Sequence, residues 1–524
     1  MKKHSGSPVG GKRRTGFAML ALVAAGCWPF ANFINQNWAA YFNVRWALVY
    51  AAVVVAFAVA VTAVLSVVIR KPFFRIAAPV AVYVVLFFSY GAIKQLWPSN
   101  SKPEFIFLGW SGLVLLACAL AWLASRHPKA LGGIFAALLV LAALPAAGLL
   151  KNLHSSPAAA SPDRIEFLHH IAFRQKPNVY FMILDAYGRA DTLKLALGFD
   201  NESFLGELAR LGFFIPRHSV SNYPATNASV GSILSLDYPE AANRLETAGS
   251  LFRRELLGAN PVVEKFKAEG YRYILVPGGI WTKISCGGEE DLCLEKTRPL
   301  EMERALTSLT PIPILQLLPH GSPFSRWLAP TPGDYLEPDD VFGLFGDRMR
   351  TLQRPFFMML HFAGIHDGIY NEDCSKGTLD SPVLYDSTSV SRYTASVNCT
   401  DRQVLELAAR IVAEDPDAII LLTGDHGPYV KPAGITVQPG QAVRPFTWGA
   451  NTPEDYRNMF GTMTALKVPA SCDGLLSDHH YAVNNFRIVF SCLGNTAIKL
   501  LEDKAYYFYH YDRRVEPVRG DLLE

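Results

Sequence analysis

The chain runs to 524 residues, half of them hydrophobic and 18% charged, with a formal net charge of +3 at pH 7. This length exceeds one ordinary domain. So small a positive balance, with no basic stripe, argues against nucleic acid as a partner.

The first 150 residues carry five long apolar stretches, at about 16–34, 47–69, 75–94, 105–124 and 130–150. Each approaches the roughly 20 residues that cross a bilayer as a helix. Core helices of a large soluble protein are the other reading, but five stretches in succession with almost no acidic residues predict a five-helix transmembrane domain over 16–150, after a tail over 1–15. Basic residues set its orientation. The tail carries Lys2, Lys3, Lys12, Arg13 and Arg14, the second loop Arg70, Lys71 and Arg75, and the fourth Arg126 and Lys129. The alternate loops hold only Arg45, Lys94 and Lys102. Positive residues favour the cytoplasmic side, so the N-terminus is expected inside and everything after Lys151 outside. LALVAAGC, ending at Cys27, faintly resembles a lipoprotein cleavage site, but Ala24 replaces the usual Leu and four spans follow, so it reads as an uncleaved helix.

Residues 151–175 read as a linker, SSPAAASPD and then a helical patch, RIEFLHHIAF. From 176 to 524 strands alternate with helices. NVYFMILDAY, YRYILVPGG, PFFMMLHFAG and DAIILLTGDHG read as buried strands, and ESFLGELARLG, NPVVEKFKAEG and TDRQVLELAARIVAED as helices. The order predicts an α/β sandwich with a mostly parallel central sheet. The proline-rich stretch 296–350 reads as a peripheral insertion over a cleft, and VNNFRIVFSCLGN…LLEDKAYYFYHYD as a strand-and-loop finish. Cys27 and Cys118 fall in membrane helices, whereas Cys286, Cys293, Cys374, Cys399, Cys472 and Cys492 all follow them. An even number in an oxidising compartment suits disulfides. Sequence order suggests Cys286–Cys293, Cys374–Cys399 and Cys472–Cys492, although six cysteines allow 15 connectivities. Zinc is the rival, but no CxxC occurs.

Two of the strands stop at acidic residues followed by glycine. Asp185 ends NVYFMILDAYG, and Asp425 with His426 ends DAIILLTGDHG. Ligand sites in open α/β sheets lie beyond such ends, and two carboxylates with an imidazole suit a divalent cation. A single strand ending in Asp also marks an ordinary turn or N-cap. The joint order raises the metal reading: strand-Asp, then a Ser/Thr-rich turn opening a helix of small residues, then strand-GDHG. Within that turn, SNYPATNASVGS, Thr226 is the hydroxyl that a cation would make nucleophilic. In FFMMLHFAGIHDGIY, His366 stands beyond a strand end, whereas His361 could equally be a satisfied histidine inside the strand. His479 and His480, in LLSDHHYAVNNFR, read as a surface pair.

This order resembles the alkaline phosphatase and sulfatase superfamily over about residues 176–510, and more narrowly its membrane-anchored branch, which includes lipoteichoic acid synthase and lipid A phosphoethanolamine transferase. That branch also places five helices before its catalytic domain. The resemblance implies an alkaline-phosphatase-like sandwich with metal ligands at Asp185, Thr226, Asp425 and His426. It implies a nucleophile at Thr226, substrate contacts at His361 and His366 from an LH-x-x-x-x-H segment, and a catalytic role for His366. Sulfatases run Cys/Ser-x-Pro-x-Arg at the nucleophile, and here Ala228 and Val230 replace the Pro and Arg, which argues against a formylglycine sulfatase.

The implied protein is an inner-membrane enzyme with a periplasmic domain and one Mn or Zn ion. It would transfer phosphoethanolamine or phosphoglycerol from a membrane phospholipid donor to an envelope glycan or lipid acceptor. A metal-dependent phosphodiesterase or sulfatase-type hydrolase is the alternative, and a non-catalytic envelope scaffold a third. Oligomeric state, donor and acceptor are not set by the sequence.

Overall fold

The computed structural model describes residues 8–36, 44–97, 102–154, 166–238, 253–256, 258–278, 284, 286, 288–294, 306–307, 309–312, 338, 341, 352–366, 368–376, 387–428, 452–508 and 515–523. The chain forms two compact units, one of Met1–Trp38, Phe42–Ser156 and Pro299–Ala329, the other of Ala39–Tyr41, Pro157–Arg298 and Pro330–Glu524.

The first unit is helical. Its main helices are Pro8–Gln36, Val44–Val68, Phe73–Phe88, Pro103–Ala124 and Pro128–His154. Small residues line the interior, among them Ala18, Ala21, Ala25, Ala58, Ala77, Ala78 and Ala81, and let the helices approach closely. Bulky apolar side chains point outward, with Phe57 67%, Val67 76% and Leu115 72% exposed. In water such a surface would aggregate; in a bilayer it is the solvated face.

Among the described residues four helices, and not the five expected, are long and apolar enough to cross a membrane: Arg14–Gln36, Ala47–Val68, Pro103–Ala124 and Pro128–Lys151. The expected span 75–94 is instead Phe73–Phe88 followed by a short helix, Tyr90–Lys94. Sixteen residues reach only roughly 24 Å at 1.5 Å per residue. The break falls at Ser89, whose hydroxyl donates to the Val85 carbonyl at 2.8 Å, a side-chain bond that competes with the helical ladder.

The proline-rich stretch is divided between the units. Leu306 packs with Phe30, Phe33, Ala47 and Ala51 in the helical unit, and the Leu309 carbonyl accepts from Gly91 N–H at 3.1 Å. Val341 is buried in the core of the second unit. Most of the expected peripheral insertion, 296–350, lies outside the described residues.

In the second unit a six-stranded sheet runs β4-β3-β5-β1-β6-β7. Its strands are β1 Val179–Leu184, β3 Arg272–Val276, β4 Leu292–Cys293, β5 Phe356–Phe362, β6 Ile419–Gly424 and β7 Thr464–Lys467. All neighbours are parallel except β6 and β7. The alternation of side chains along β1 splits its residues between two cores. Val179, Phe181 and Ile183 pack with Val230, Ile233, Phe266 and Phe486. Tyr180, Met182 and Leu184 pack with Leu208, Val404, Leu407 and Ile411. Helices on both faces complete the expected α/β sandwich. They include Glu202–Arg210, Thr226–Ser235, Pro261–Ala268 and Ser387–Glu414.

VNNFRIVFSCLGN is a helix, Asn485–Gly494, and not the strand expected. Phe486, Val489, Phe490 and Leu493 recur at helical spacing and bury one face in the core. LLEDKAYYFYHYD does contain a strand, β9 Ala505–Phe508, paired antiparallel with β10 Val515–Val518. A small parallel pair joins β2 His218–Val220 to β8 His479–Tyr481. The six cysteines of the second unit pair as Cys286–Cys293, Cys374–Cys399 and Cys472–Cys492, with Cα separations of 6.1, 5.5 and 5.4 Å, while Cys27 and Cys118 are unpaired thiols.

Asn178 sets the common starting line of the three central strands. Its carbonyl accepts from Ile419 N–H at 3.0 Å, its Oδ1 accepts from Phe356 N–H at 3.1 Å, and its Nδ2 donates to Asp415 at 2.5 Å. Asn178→Ala leaves the buried Phe356 N–H and the Asp415 carboxylate short of a partner. It should cost about 1–3 kcal/mol, read as a lower thermal midpoint of the whole protein; an unchanged midpoint would refute this role.

Candidate metal centre

Parallel register brings the carboxyl ends of β1, β5 and β6 to one level, because Leu184 lies opposite both Phe362 and Gly424. The residues that follow therefore meet. Asp185 leaves β1, Asp425 and His426 leave β6, and His361 is the penultimate residue of β5, opposite Ile183. His361 Nε2 lies 3.6 Å from Asp185 Oδ2. His426 Nε2 lies 3.3 Å from Asp185 Oδ1 and 3.9 Å from Asp425 Oδ2. His366, in the loop after β5, faces the His426 ring edge-on at 5.8 Å between centroids. Two overlapping sets of donor atoms each converge within 4.8 Å: Asp185, His366 and His426, and Asp185, His361 and Asp425. His366 is half-buried at the rim, and the other four are buried.

Backbone groups fix how each donor points. Asp425 Oδ1 accepts two N–H bonds, from Ala186 and from His426, both at 3.0 Å, which turns Oδ2 toward the cluster. His426 Nδ1 contacts the Gly427 carbonyl at 2.8 Å. A carbonyl can only accept, so Nδ1 holds the hydrogen and Nε2 carries the lone pair, the arrangement of a metal-ligating imidazole. Three glycines allow the close approach. A Cβ on Gly278, just beyond β3, would run into the His361 carbonyl and Nδ1; one on Gly424 would strike the Tyr187 carbonyl; one on Gly427 would strike that of Asn458.

Burial raises the Asp185 carboxyl, but His366, His426 and His361 around it outweigh burial and hold it down to about 2. Burial drives the His361 imidazole below its ordinary value against the pull of Asp185 and Asp425. Burial also works to lower His426, yet Asp425 and Asp185 carry it above its usual value. The pocket thus combines an ionised carboxylate with His361 in its neutral, lone-pair-donating form.

Both ring nitrogens of His361 and Oδ2 of Asp425 are buried without a hydrogen-bond partner among the described residues. Leaving such groups unsatisfied costs about 1–3 kcal/mol each. A divalent cation would take up one of the two His361 nitrogens together with Asp425 Oδ2, so the donor set fits a metal, and its mix of carboxylate and imidazole suits Zn or Mn.

Thr226 is the first residue of the helix Thr226–Ser235 and is half-buried, while Asn227 to Ser235 behind it are buried. The approach to this helix is tied to the site through residues 459–463. Phe460 O accepts from Ser221 N–H, Ser219 O accepts from Thr462 N–H, Met463 O accepts from Gly424 N–H, and Met459 O accepts from Gly427 N–H. His479 is exposed and stacks on His218 at 4.8 Å. His480, expected with it on the surface, is buried instead, its Nε2 2.6 Å from Asn485 Oδ1. Strand β8 alternates, so consecutive histidines face opposite ways.

The sequence reading missed Gly278, for which PGG after a strand gave only a turn signal. It also missed two tyrosines, Tyr187 and Tyr393, whose hydroxyls bind groups around the turn after Asp185.

Residues 319–458 match the family model described as Sulfatase, a segment that holds His361, His366, Asp425 and His426, with Asp185 and Thr226 upstream. No curated protein matches the sequence. Solved structures similar to the chain include the C-terminal periplasmic domain of EcEptC from Escherichia coli, at 13% identity and a TM-score of 0.41, covering 67% of this chain and 96% of that one. Another is the integral membrane protein lipooligosaccharide phosphoethanolamine transferase A from Neisseria meningitidis, at 12% identity and a TM-score of 0.40, covering 91% and 95%. A third is a protein in the alkaline phosphatase superfamily from Vibrio parahaemolyticus, at 12% identity and a TM-score of 0.39, covering 66% and 79%. Over residues 319–458 the chain is thus similar to the Sulfatase family model.

Proposed function

We propose that the protein is a metal-dependent transferase that moves a phospholipid headgroup phosphate, phosphoethanolamine or phosphoglycerol, through a phosphothreonine at Thr226 to a hydroxyl of an envelope glycan or lipid. The observation that carries this reading is the buried convergence of Asp185, His361, His366, Asp425 and His426 at the end of parallel strands. Asp185, His361, Asp425 and His426 hold one Mn or Zn ion. The burial of His361 beside both carboxylates supports a ligand role for it, where the sequence suggested a substrate contact. When bound, the cation offsets phosphoryl charge and lowers the pKa of a hydroxyl beside it.

The rest falls to the chain. Thr226 Oγ1 attacks phosphorus, and the P–O bond to diacylglycerol breaks. His366, half-buried at the rim, takes the Thr226 proton and passes it to the departing oxygen. The acceptor hydroxyl then attacks the phosphothreonine, gives its proton to His366, and Thr226 recovers it as the Oγ1–P bond breaks. Backbone N–H groups at the start of the helix Thr226–Ser235 favour the incoming anion.

The N-terminus lies inside and the Sulfatase-family domain outside the cytoplasmic membrane. Phe73–Phe88 and Tyr90–Lys94 together make the fifth crossing, and a membrane anchor raises the local concentration of lipid headgroups. Protease added to intact spheroplasts should degrade the second unit; full protection would reverse the orientation.

With phosphatidylethanolamine or phosphatidylglycerol labelled in the headgroup phosphate, the label should appear on an envelope glycan or lipid. Thr226→Ala should reduce transfer to background with bound metal retained, and Thr226→Ser should keep part of it. Label released only as a water-soluble ester would favour the hydrolase, and undiminished transfer by Thr226→Ala would remove the nucleophile.

Gly278→Ala should displace His361 and weaken Zn or Mn binding about tenfold or more, in line with losses on disturbing the surroundings of metal ligands. Competition against a chelator reads this directly, and wild-type affinity would exclude His361 from the ligand set.

A further inference from the structure

We infer that Tyr393 is a positioning residue for the candidate cation site, acting through the turn Asp185–Gly188. The inference rests on the metal reading above. Ala186, between Asp185 and Tyr187, has φ +63°, a left-handed conformation that costs a residue bearing a Cβ. Something must hold it there, and the surrounding groups do so. The Tyr393 hydroxyl donates to the Ala186 carbonyl at 2.8 Å and accepts from Gly188 N–H at 3.4 Å, so one phenol closes both ends of the turn. The Tyr187 hydroxyl donates to Asp401 Oδ1 at 2.7 Å and accepts from Asn201 Nδ2 at 3.1 Å. The Tyr187 carbonyl accepts from Met463 N–H at 3.1 Å. Tyr187, Tyr393 and Asp401 are all buried. Tyr393 and Asp401 lie on one helix, Ser387–Glu414, eight residues or about two turns apart, so a single rigid element presents both to the turn.

The strained residue has a definite job. In this conformation Ala186 N–H donates to Asp425 Oδ1 at 3.0 Å, tying the end of β1 to the end of β6. That bond, shared with His426 N–H, leaves Asp425 Oδ2 as the oxygen among the donor atoms of Asp185 and His361. If Ala186 relaxed to an ordinary conformation, its N–H would leave Asp425, and the carboxylate would keep only the His426 N–H to fix its orientation. Tyr393 touches neither cation nor substrate; it acts on Asp425 through Ala186.

The test is metal affinity of the full-length protein, with Zn and Mn each titrated against a chelator, alongside the thermal midpoint of the metal-free protein. Tyr393→Phe should weaken binding roughly 10- to 100-fold in a variant that still folds, with its metal-free midpoint lowered only as the loss of two buried hydrogen bonds requires. Adding Ala186→Gly to Tyr393→Phe should recover most of the loss, because glycine adopts positive φ without penalty; a purely structural tyrosine would not be rescued in this way. Should Tyr393→Phe fail to fold, Tyr187→Phe, which frees the turn from Asp401, carries the same expectation. Wild-type affinity in the folded variant, or no recovery in the double variant, overturns the inference. Asp185→Asn is the control. If it loses saturable binding while Tyr393→Phe does not, the cation site stands and the positioning role falls. If Asp185→Asn also binds as wild type, the metal reading itself fails.

Discussion

Two carboxylates and two imidazoles buried at one end of a parallel sheet are the constraint from which the second unit follows. Like charges brought together out of water repel and lose hydration. Here Asp185 and Asp425 are both buried, and the groups around them are histidines and backbone N–H donors. Such a cluster persists only if the fold forces it or a cation compensates it. The fold does the forcing through register: Asn178 aligns β1, β5 and β6 at their starts, so their ends arrive level. Antiparallel neighbours would have scattered the same residues to opposite edges. The one antiparallel strand, β7, instead brings its beginning to this end, which is why residues 459–463 can bridge Gly424 and Gly427 to the segment leading into Thr226.

Much of this arrangement was legible in the chain, for physical reasons that also mark where legibility ended. Apolar runs that stop at Asp-Ala-Tyr-Gly or Asp-His-Gly announce buried strands, and the meeting of Asp185, Asp425 and His426 at their ends was expected that way. His361 could not be placed, because a histidine inside an apolar strand looks the same whether it is satisfied or ligating. Only the pairing of His361 with Ile183 shows that it sits beside Asp185. The helix Asn485–Gly494 was misread for a related reason. Its aromatic and β-branched residues favour a strand by type, while the spacing of Phe486, Val489, Phe490 and Leu493 favours a helix, and burial against Phe181 and Phe266 decided it. The third membrane segment is apolar throughout, and nothing in its hydropathy reveals the break at Ser89.

The two units solve burial in opposite ways. In the helical unit the small residues are inside and the large ones outside, because close backbone approach is the available gain where the surroundings are as apolar as the interior. In the α/β unit the large residues are inside, with Phe181, Phe266, Phe357 and Phe486 forming a continuous aromatic core under the sheet. Polar chemistry is confined to the edge where the strands stop. Strain is found there too: Ala186, a non-glycine at positive φ, joins the ends of the two strands that lead into Asp185 and Asp425.

Whether a phosphorylated threonine passes its group to a sugar hydroxyl or to water is a matter of access. A covalent intermediate at Thr226 would have its whole helix buried behind it, since Asn227 to Ser235 are shielded. Attack can come only from the half-buried face that Thr226 presents and that His366 borders in the proposed mechanism. Water reaches a half-exposed site readily, so transfer needs an acceptor that occupies that face and displaces it. The selectivity of such an enzyme then resides less in the metal cluster, which treats any phosphoryl oxygen alike, than in the surface that binds the acceptor beside Thr226. A hydrolase and a transferase could therefore share every ligand described here and differ only at that rim.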